Sequence, residues 1–437
     1  MIKRLAMMLG LVSALPLMAQ LPAADTAAIQ SLSLEQALEL ALANNAEMVN
    51  SQIDVTIAQK KIWETTAIGL PQVKGELSYT FTPEPYDMSS FAGQAPGTVV
   101  DDKLMGNYSV TVSQLIFSGE YIVGLKASKT YKRLSEENLE AKQAEMKEKV
   151  ANSYYMALVA DENLRLLDSS LMLVKSSVDE MHAMAKVGFA ESTDADQMKI
   201  NYTSMENQRA NLVRQALFAK RTLKFNVGIP LDNALTLSQT IDQLILSATT
   251  AAIDTSLFAA ESHINGRQLQ TSEDLMRLSY KRTESTYLPT LAAYYRHKGY
   301  VKEPIMSFEP KDVAGLTLSW DLFTSGQRCS KVQQAKLEYT KAQNSKLQGQ
   351  EGLKLAAIQA ESDYINALNI YSSEKEKLDL ALKIFRNYLI KQKNGMAKSM
   401  DVTSAQNQYI QAQTAYCNAA FDVLRLKSAL DRARGTR

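Results

Sequence analysis

The chain has 437 residues and a formal net charge of +1, because 48 Lys and Arg are nearly balanced by 47 Asp and Glu. The two signs are interspersed, so there is no basic stripe and no nucleic-acid partner is expected. Three scattered histidines, and no acidic or cysteine cluster at metal-ligand spacing, predict neither a metal site nor a cofactor. A glycine-rich phosphate loop and a serine elbow are also lacking, so the sequence does not predict an enzyme.

The first residues have the pattern of a secretory signal peptide. Lys3 and Arg4 precede an apolar run over residues 5–18, and the small residue Ala19 follows it. This pattern predicts a signal peptide over residues 1–19, which is excluded from the fold. No later apolar run approaches the roughly 20 residues of a membrane-spanning helix. Any contact with a membrane must therefore use another kind of structure.

One structural unit occurs twice in the chain. It consists of a leading helix, a Leu-Pro step, two alternating strands, a Ser-Gly corner and a long helical hairpin. The two copies predict a first repeat over residues 20–228, a connection over residues 229–250 and a second repeat over residues 251–437. The matching positions are Leu70-Pro71 with Leu288-Pro289 at an offset of 218 residues, and Ser118-Gly119 with Ser325-Gly326 and residues 188–194 with 395–401 at an offset of 207.

Two long stretches, residues 121–186 and 327–394, contain no proline, which would cost about 3 kcal/mol inside a helix. Each is predicted to form one helix near 100 Å long, at ~1.5 Å per residue. Their apolar positions follow a coiled-coil heptad in one register, with Glu374 as the exception. The heptad positions are Leu164, Leu167, Leu171, Val174, Val178 and Met181 in the first copy, and Tyr371, Leu378, Ala381, Phe385 and Tyr388 in the second.

The remaining helical segments provide neighbours for these seams. Segments over residues 190–225 and 399–430 turn each long helix into an antiparallel hairpin. Leading helices are predicted over residues 33–68 and about 252–286, and Ser33 with Gln36 fits a capping box. Cys329 and Cys417 are expected to be unpaired small core residues in these helices.

The strands alternate as strands of a membrane barrel do. In residues 72–82, 108–113 and 316–322, apolar side chains occupy one face and polar side chains the other, whereas residues 290–300 are more polar. A half-buried soluble sheet also alternates, but the signal peptide and the duplication favour the membrane. Four strands cannot close a barrel around a hole. An open edge in lipid leaves unpaired backbone groups that cost several kcal/mol each, so the subunit must oligomerise.

The ordered motifs resemble those of the TolC family of outer-membrane efflux proteins. The resemblance covers essentially the whole mature chain, and each half repeats the corner and tip motifs. The motifs are LSLEQAL and ALANN at residues 32–38 and 41–45, the corners LIFSG at 115–119 and LFTSG at 322–326, and the tips VGFAESTD at 187–194 and NGMAKSMDV at 394–402.

This resemblance implies an α+β membrane protein in the outer membrane of a Gram-negative bacterium. It implies a homotrimer with one 12-stranded transmembrane β-barrel in outer-membrane lipid, continued by long coiled-coil helical hairpins that form a periplasmic α-barrel. The implied function is a passive export conduit for small molecules. Its partners would be a periplasmic adaptor, or membrane fusion protein, and an inner-membrane pump of the RND or ABC type. Type I protein secretion and a non-conducting periplasmic scaffold remain alternatives, although polar inward strand faces favour a conduit.

The two hairpin tips are the candidate functional site. By resemblance, Val187, Gly188 and Phe189, with Asn394, Gly395 and Met396, would contact the adaptor. The glycines suit a sharp turn between helices, and Ser192 and Ser399 are predicted as N-caps with Asp194 and Asp401 in the first turn. The family's constriction carries a carboxylate at the position of Asp401, often with a second acid where this chain has Ser404. Asp196 is a further gate candidate, and capping alone remains an alternative role for Asp194.

Overall fold

The computed structural model describes residues 31–84, 86–87, 99–100, 104–250, 258–301 and 309–435. The predicted signal peptide, residues 1–19, lies outside them. The elements are α1 (Leu34–Asn44), α2 (Ala46–Ile68), β1 (Gln72–Phe81), β2 (Tyr86–Asp87), β3 (Val99–Val100), β4 (Leu104–Phe117), α3 (Gly119–Lys186), α4 (Ser192–Val227), α5 (Ile241–Thr250), α6 (Ile264–Glu284), a 3-10 turn (Ser285–Tyr287), β5 (Thr290–Tyr300), β6 (Asp312–Ser319), α7 (Gln327–Lys393) and α8 (Ser399–Arg434).

The first leading helix is two helices rather than one. It starts with the predicted capping box, in which Ser33 and Gln36 exchange backbone-to-side-chain hydrogen bonds of 3.0 and 3.3 Å. Asn45 then has extended backbone angles and caps α2 by accepting a hydrogen bond from the Glu47 N–H group at 2.8 Å. The Asn45 amide also donates to the Asn226 carbonyl at 2.8 Å. The break between α1 and α2 is therefore stabilised by a hydrogen bond to the end of α4.

The four long strands form one antiparallel sheet in the order β1-β4-β5-β6. Its register places Val73, Val112, Tyr295 and Ala314 in one row. The next row consists of Lys74, Thr111 and Arg296, with the apolar Val313 at its end. The apolar face is open to solvent in the single chain, where Val73 is 70% exposed and Leu316 71% exposed. The more polar third strand, β5, forms over all of its 11 residues. Within the described chain, β1 and β6 each have one partner strand and one free edge.

Tyrosine rings fill the space above glycines in this sheet. A Cβ atom at Gly299 would lie 2.3 Å from the Tyr108 ring, and one at Gly315 would lie 3.0 Å from the Tyr294 ring. Each ring covers a glycine on a neighbouring strand, a cross-strand contact that stabilises a sheet. Tyr108 covers its glycine on the apolar face and Tyr294 on the polar face, so both faces are packed locally.

The long helices run as predicted, with 68 residues in α3 and 67 in α7. Each is followed by an antiparallel partner of 36 residues, α4 or α8. The seam buries Leu167, Val174 and Phe385, together with Met198 and Val402 from the returning helices, in one cluster near the tips. None of the described helices combines the length and the apolar composition needed to cross a bilayer.

A second cluster lies midway along the hairpins, where the two halves of the chain meet. The buried Tyr154 of α3 donates from its hydroxyl to the Leu32 carbonyl at 3.1 Å. Leu32 forms a parallel bridge with Leu237, and α5 buries Ile241 in the same cluster. Residues 229–250, predicted as a connection, therefore contain a helix that packs against the hairpins. The repeat boundaries themselves stay a prediction.

The two cysteines differ in their surroundings. Cys417 is buried in α8, and this burial raises the pKa of its thiol to about 12. Cys329 is exposed in the first turn of α7, so the expectation that it is a core residue is wrong. The physical reason is its place just beyond the Ser325-Gly326 corner, where α7 leaves the sheet. The Cys329 sulfur accepts a hydrogen bond from the Gln333 amide, one turn further on, at 3.6 Å.

Candidate functional site

The two hairpin tips have the same backbone conformation. Gly188 and Gly395 have φ angles of +78° and +69°, in the left-handed region where glycine has no Cβ penalty. In each tip the residue after the glycine donates to a carbonyl of the last helical turn, as in a Schellman motif. The two bonds are Phe189 to Met184 at 2.9 Å and Met396 to Lys391 at 2.8 Å. The glycines are thus required by the turn itself.

The predicted docking residues lie at the surface of the tips. Val187, Phe189 and Met396 are 67%, 86% and 70% exposed, which is unusual for apolar side chains beside a turn. A Cβ atom at Gly188 or Gly395 would have no neighbour within 4 Å. Asn394 is exposed as well, and its amide donates to the Ile390 carbonyl at 3.0 Å. The tips therefore present open apolar surface beyond the ends of both hairpins.

The structure corrects the predicted N-caps. Helix α4 begins at Ser192 with Glu191 as its cap residue, and α8 begins at Ser399 with Lys398 as its cap residue. Both serines are thus one residue inside the helix. Ser399 is buried because its hydroxyl accepts a hydrogen bond from the Gln392 amide at 3.3 Å across the hairpin. This contact with α7 competes with capping for the hydroxyl.

The gate candidates lie in the first turns of α4 and α8. The Asp401 carboxylate accepts a hydrogen bond from the Lys398 N–H group at 3.0 Å, so it stabilises the start of α8. A lysine side chain has no acceptor atom, so the reciprocal half of a capping box is not available. Asp196 and Ser404 are exposed and Asp194 is partly buried. Asp194 and Asp401 each follow the glycine of their tip by six residues, whereas Asp196 follows its glycine by eight and Ser404 by nine.

A set of buried amides joins the two hairpins near the tips, and sequence reasoning missed it. The Asn201 amide of α4 donates to the side-chain oxygen of Gln406 of α8 at 2.8 Å, and Gln406 is fully buried. Further along, Ser177 of α3 donates to the Gln392 side chain of α7 at 2.9 Å. The Gln413 amide of α8 donates to the Asn163 carbonyl of α3 at 2.9 Å. These bonds connect the first hairpin to the second along its length.

The signal for these residues was present in the sequence pattern. Asn201, Gln392, Gln406 and Gln413 are polar residues at positions where the helices bury their seams. A polar residue in a coiled-coil seam reduces stability but fixes register and partner. Next to them, Tyr409 stacks on Phe385 with ring centroids 5.9 Å apart, and burial raises the pKa of the Tyr409 phenol. These buried seam residues are thus packed and uncharged, and their hydrogen bonds are specific in their pairing.

One continuous segment of the sequence matches a known family. Residues 37–228 match the profile of the outer membrane efflux protein family. This segment, which is less than half of the chain, is similar to that family. The predicted resemblance and the predicted location, an outer-membrane protein that extends into the periplasm, are confirmed. A comparison with curated proteins gives no match.

Solved structures of outer-membrane channels have the same fold. The chain is 13% identical to CusC with a TM-score of 0.75, covering 92% of this chain and 91% of that one. It is 16% identical to the outer-membrane channel OprN with a TM-score of 0.71, covering 92% and 89%. It is 15% identical to the outer-membrane protein VceC of Vibrio cholerae with a TM-score of 0.70, covering 92% and 96%. The predicted fold class is confirmed, and the family and these neighbours are channels rather than enzymes.

Replacing Gln406 by Ala is expected to destabilise the hairpin pair. The change removes the 2.8 Å partner of the buried Asn201 amide, which keeps a longer 3.4 Å hydrogen bond to the Thr403 hydroxyl, and the lost bond costs about 1–3 kcal/mol. Gln408→Ala, an exposed position on the same helix, is the matched control and should be nearly neutral. Guanidinium unfolding of the full chain in detergent, followed by helical circular dichroism, measures both. Equal unfolding midpoints for the two variants would contradict the assigned bond.

Proposed function

We propose that three copies of this chain form a passive export conduit in the outer membrane. The observation that carries this proposal is the four-stranded sheet with one exposed apolar face and two free edges. In lipid, each free edge is a row of unsatisfied backbone groups. If β6 of one copy pairs with β1 of the next, both edges disappear. Three copies then supply twelve strands, the barrel that the family resemblance implies.

The polar face of the sheet supports a water-filled lumen. In the register of the strands, Lys74, Thr111 and Arg296 share a row that faces away from Val73 and its apolar neighbours. A barrel with apolar side chains outside and these polar side chains inside encloses water. A periplasmic scaffold has no need of such a face. The conduit is therefore favoured over the scaffold.

The cargo in this proposal is a small molecule rather than a protein. The matching family is named for efflux. The proposed route of the cargo runs from an inner-membrane pump through a periplasmic adaptor to the exterior. The pump, of the RND or ABC type, provides the energy, because the conduit has no energy source of its own. Type I protein secretion is the runner-up and uses the same conduit with a different pump.

The exposed tips are proposed as the docking surface and the gate. Val187, Gly188 and Phe189 of the first tip, with Asn394, Gly395 and Met396 of the second, would contact the adaptor. Asp401, together with Asp194, Asp196 and Ser404, would line the constriction where three copies converge. The support is their position beside turns that extend beyond the packed seams.

The test of the conduit is assembly and conductance of the purified chain. Mass measurement in mild detergent should give a trimer, and the same preparation should give single-channel currents in a planar bilayer. Both results follow from the need to pair two free sheet edges. A preparation that is well folded by circular dichroism but contains only monomers would refute the barrel.

The docking surface is tested by an isosteric pair of variants at the first tip. Gly188→Asp and Gly188→Asn place side chains of the same shape at φ +78°, a conformation that both residues tolerate better than most. Only the aspartate adds a charge to the apolar surface. Gly188→Asp should lose most export, measured as accumulation of a fluorescent efflux substrate, while Gly188→Asn keeps more. Equal export by both, at equal trimer level in the membrane, would place docking elsewhere.

The gate is tested at Asp401 by another isosteric exchange. Three carboxylates around a narrow tip attract multivalent cations, and salt screens that attraction. Multivalent cations added on the periplasmic side should therefore block conductance, more weakly at high ionic strength. Asp401→Asn keeps an acceptor for the Lys398 N–H group and removes the charge, so it should relieve most of the block. An undiminished block would leave Asp401 with its helix-capping role alone.

A further inference from the structure

The inner face of the proposed barrel carries an uneven set of charges. This inference rests on the proposed trimer, because it concerns the face that would line the lumen. In the rows that face away from the apolar side chains, the strands place Lys74, Glu76, Arg296 and Lys298. Cations therefore outnumber acids on this face among the described strand residues.

Two of the three cations have carboxylate partners. The Lys74 ammonium lies 3.6 Å from the Glu76 carboxylate, and the Lys298 ammonium lies 2.6 Å from the Glu309 carboxylate. In the part of the chain that the structure describes, Arg296 has no carboxylate within 4.0 Å, and its Nε atom is buried without a hydrogen-bond partner. An unpaired guanidinium has five donors that match the oxygens of carboxylates, sulfonates and phosphates.

The position of Arg296 is central in the sheet. It lies opposite Thr111 on β4 and Val313 on β6, both uncharged. It is four residues from the end of β5 at Tyr300, which is roughly 13 Å at ~3.3 Å per residue. Arg296 is thus inside β5 rather than at its end, although its β6 partner Val313 is the second residue of that strand. In a trimer, three such guanidinium groups would lie at one level.

We propose that Arg296 forms an anion-binding ring in the lumen of the barrel and that this conduit favours anionic cargo. The ring supplies three positive charges, each without a carboxylate within 4.0 Å among the described residues. Each lies on the strand that also carries Lys298, and Glu309, the partner of Lys298, also interacts electrostatically with Arg296. A solute with a carboxylate, sulfonate or phosphate group would exchange its water for these donors as it passes. A cationic solute would meet repulsion at the same level. Arg296 is thereby a specificity-determining residue of the outer-membrane segment.

The neighbouring residue on β5 provides a control because it faces the opposite side. His297 lies in the row of Val110 and Asp312, on the face that would contact lipid. Its Nδ1 atom is 2.7 Å from an Asp312 carboxylate oxygen, which Tyr295 also contacts at 2.7 Å. The change His297→Gln therefore alters a polar side chain beside Arg296 without altering the lumen.

The test is block of single-channel current by inorganic pyrophosphate. The polar helices, roughly 100 Å long at ~1.5 Å per residue, remain in the chamber to which the protein is added. Pyrophosphate placed in the opposite chamber therefore reaches the barrel before it reaches the tips. It should reduce the current of the wild-type channel at low salt. The block should weaken as ionic strength rises, because salt screens the attraction.

Variants assign this block to the ring. The half-blocking concentration should rise at least about tenfold in Arg296→Gln, the ratio that corresponds to ~1.4 kcal/mol. It should change by less than about threefold in Arg296→Lys, which keeps the charge, and remain unchanged in His297→Gln. Thr111→Asp keeps the arginine and places a carboxylate directly opposite it, as cross-strand pairs do. In that variant the half-blocking concentration should also rise about tenfold, which again corresponds to ~1.4 kcal/mol, because the new carboxylate neutralises the guanidinium.

The outcomes separate this inference from the proposed function. Channels that conduct but are not blocked by pyrophosphate overturn the anion-binding ring and leave the conduit intact. An equal block in wild type, Arg296→Gln and Thr111→Asp also overturns the ring and leaves the conduit intact, because the anion then binds elsewhere. Should Arg296→Gln fail to assemble, Thr111→Asp alone decides between these results. Absence of channels from well-folded wild-type protein refutes the conduit, and the ring with it.

Discussion

Two free sheet edges are the constraint on which the rest of this molecule depends. β1 and β6 each use one side of the strand for hydrogen bonds within the chain and leave the other side open. In water such an edge is a site of unwanted pairing, and in lipid each orphaned group costs several kcal/mol. The apolar face beside these edges, with Val73 and Leu316 largely exposed, excludes water as a suitable surrounding. These two features are the basis for the proposal that the single chain is one segment of a larger closed wall.

The long helices extend the molecule far from the sheet without a globular core. Helix α3 has 68 residues and a narrow apolar seam. It is stable only when neighbouring helices bury that seam. The chain provides these neighbours in order, so each long helix turns back on itself at a left-handed glycine. The apolar part of the seam gives stability. The buried amides, such as Asn201 with Gln406, select one pairing between hairpins, because any shift would leave them unsatisfied.

Charge is distributed on the sheet according to the same division of faces. On the apolar face, the His297 Nδ1 atom lies 2.7 Å from an Asp312 carboxylate oxygen. On the polar face, Lys74 and Lys298 have carboxylate partners, and Arg296 stands without one among the described residues. The register of the strands, rather than the overall composition, creates this imbalance. A nearly neutral chain can thus have a locally cationic polar face on its sheet.

The sequence by itself determined the periodic and repeated features. Proline-free stretches, heptads and strand alternation depend on the period of each element, which is local, and so the long hairpins, the strand faces and the tip glycines could all be predicted. Contacts between distant segments could not. The break at Asn45 depends on the Asn226 carbonyl, and Ser399 is inside α8 because Gln392 binds its hydroxyl. Exposed Cys329 and unpaired Arg296 likewise follow from which neighbours the fold brings near, and only the tertiary structure decides that.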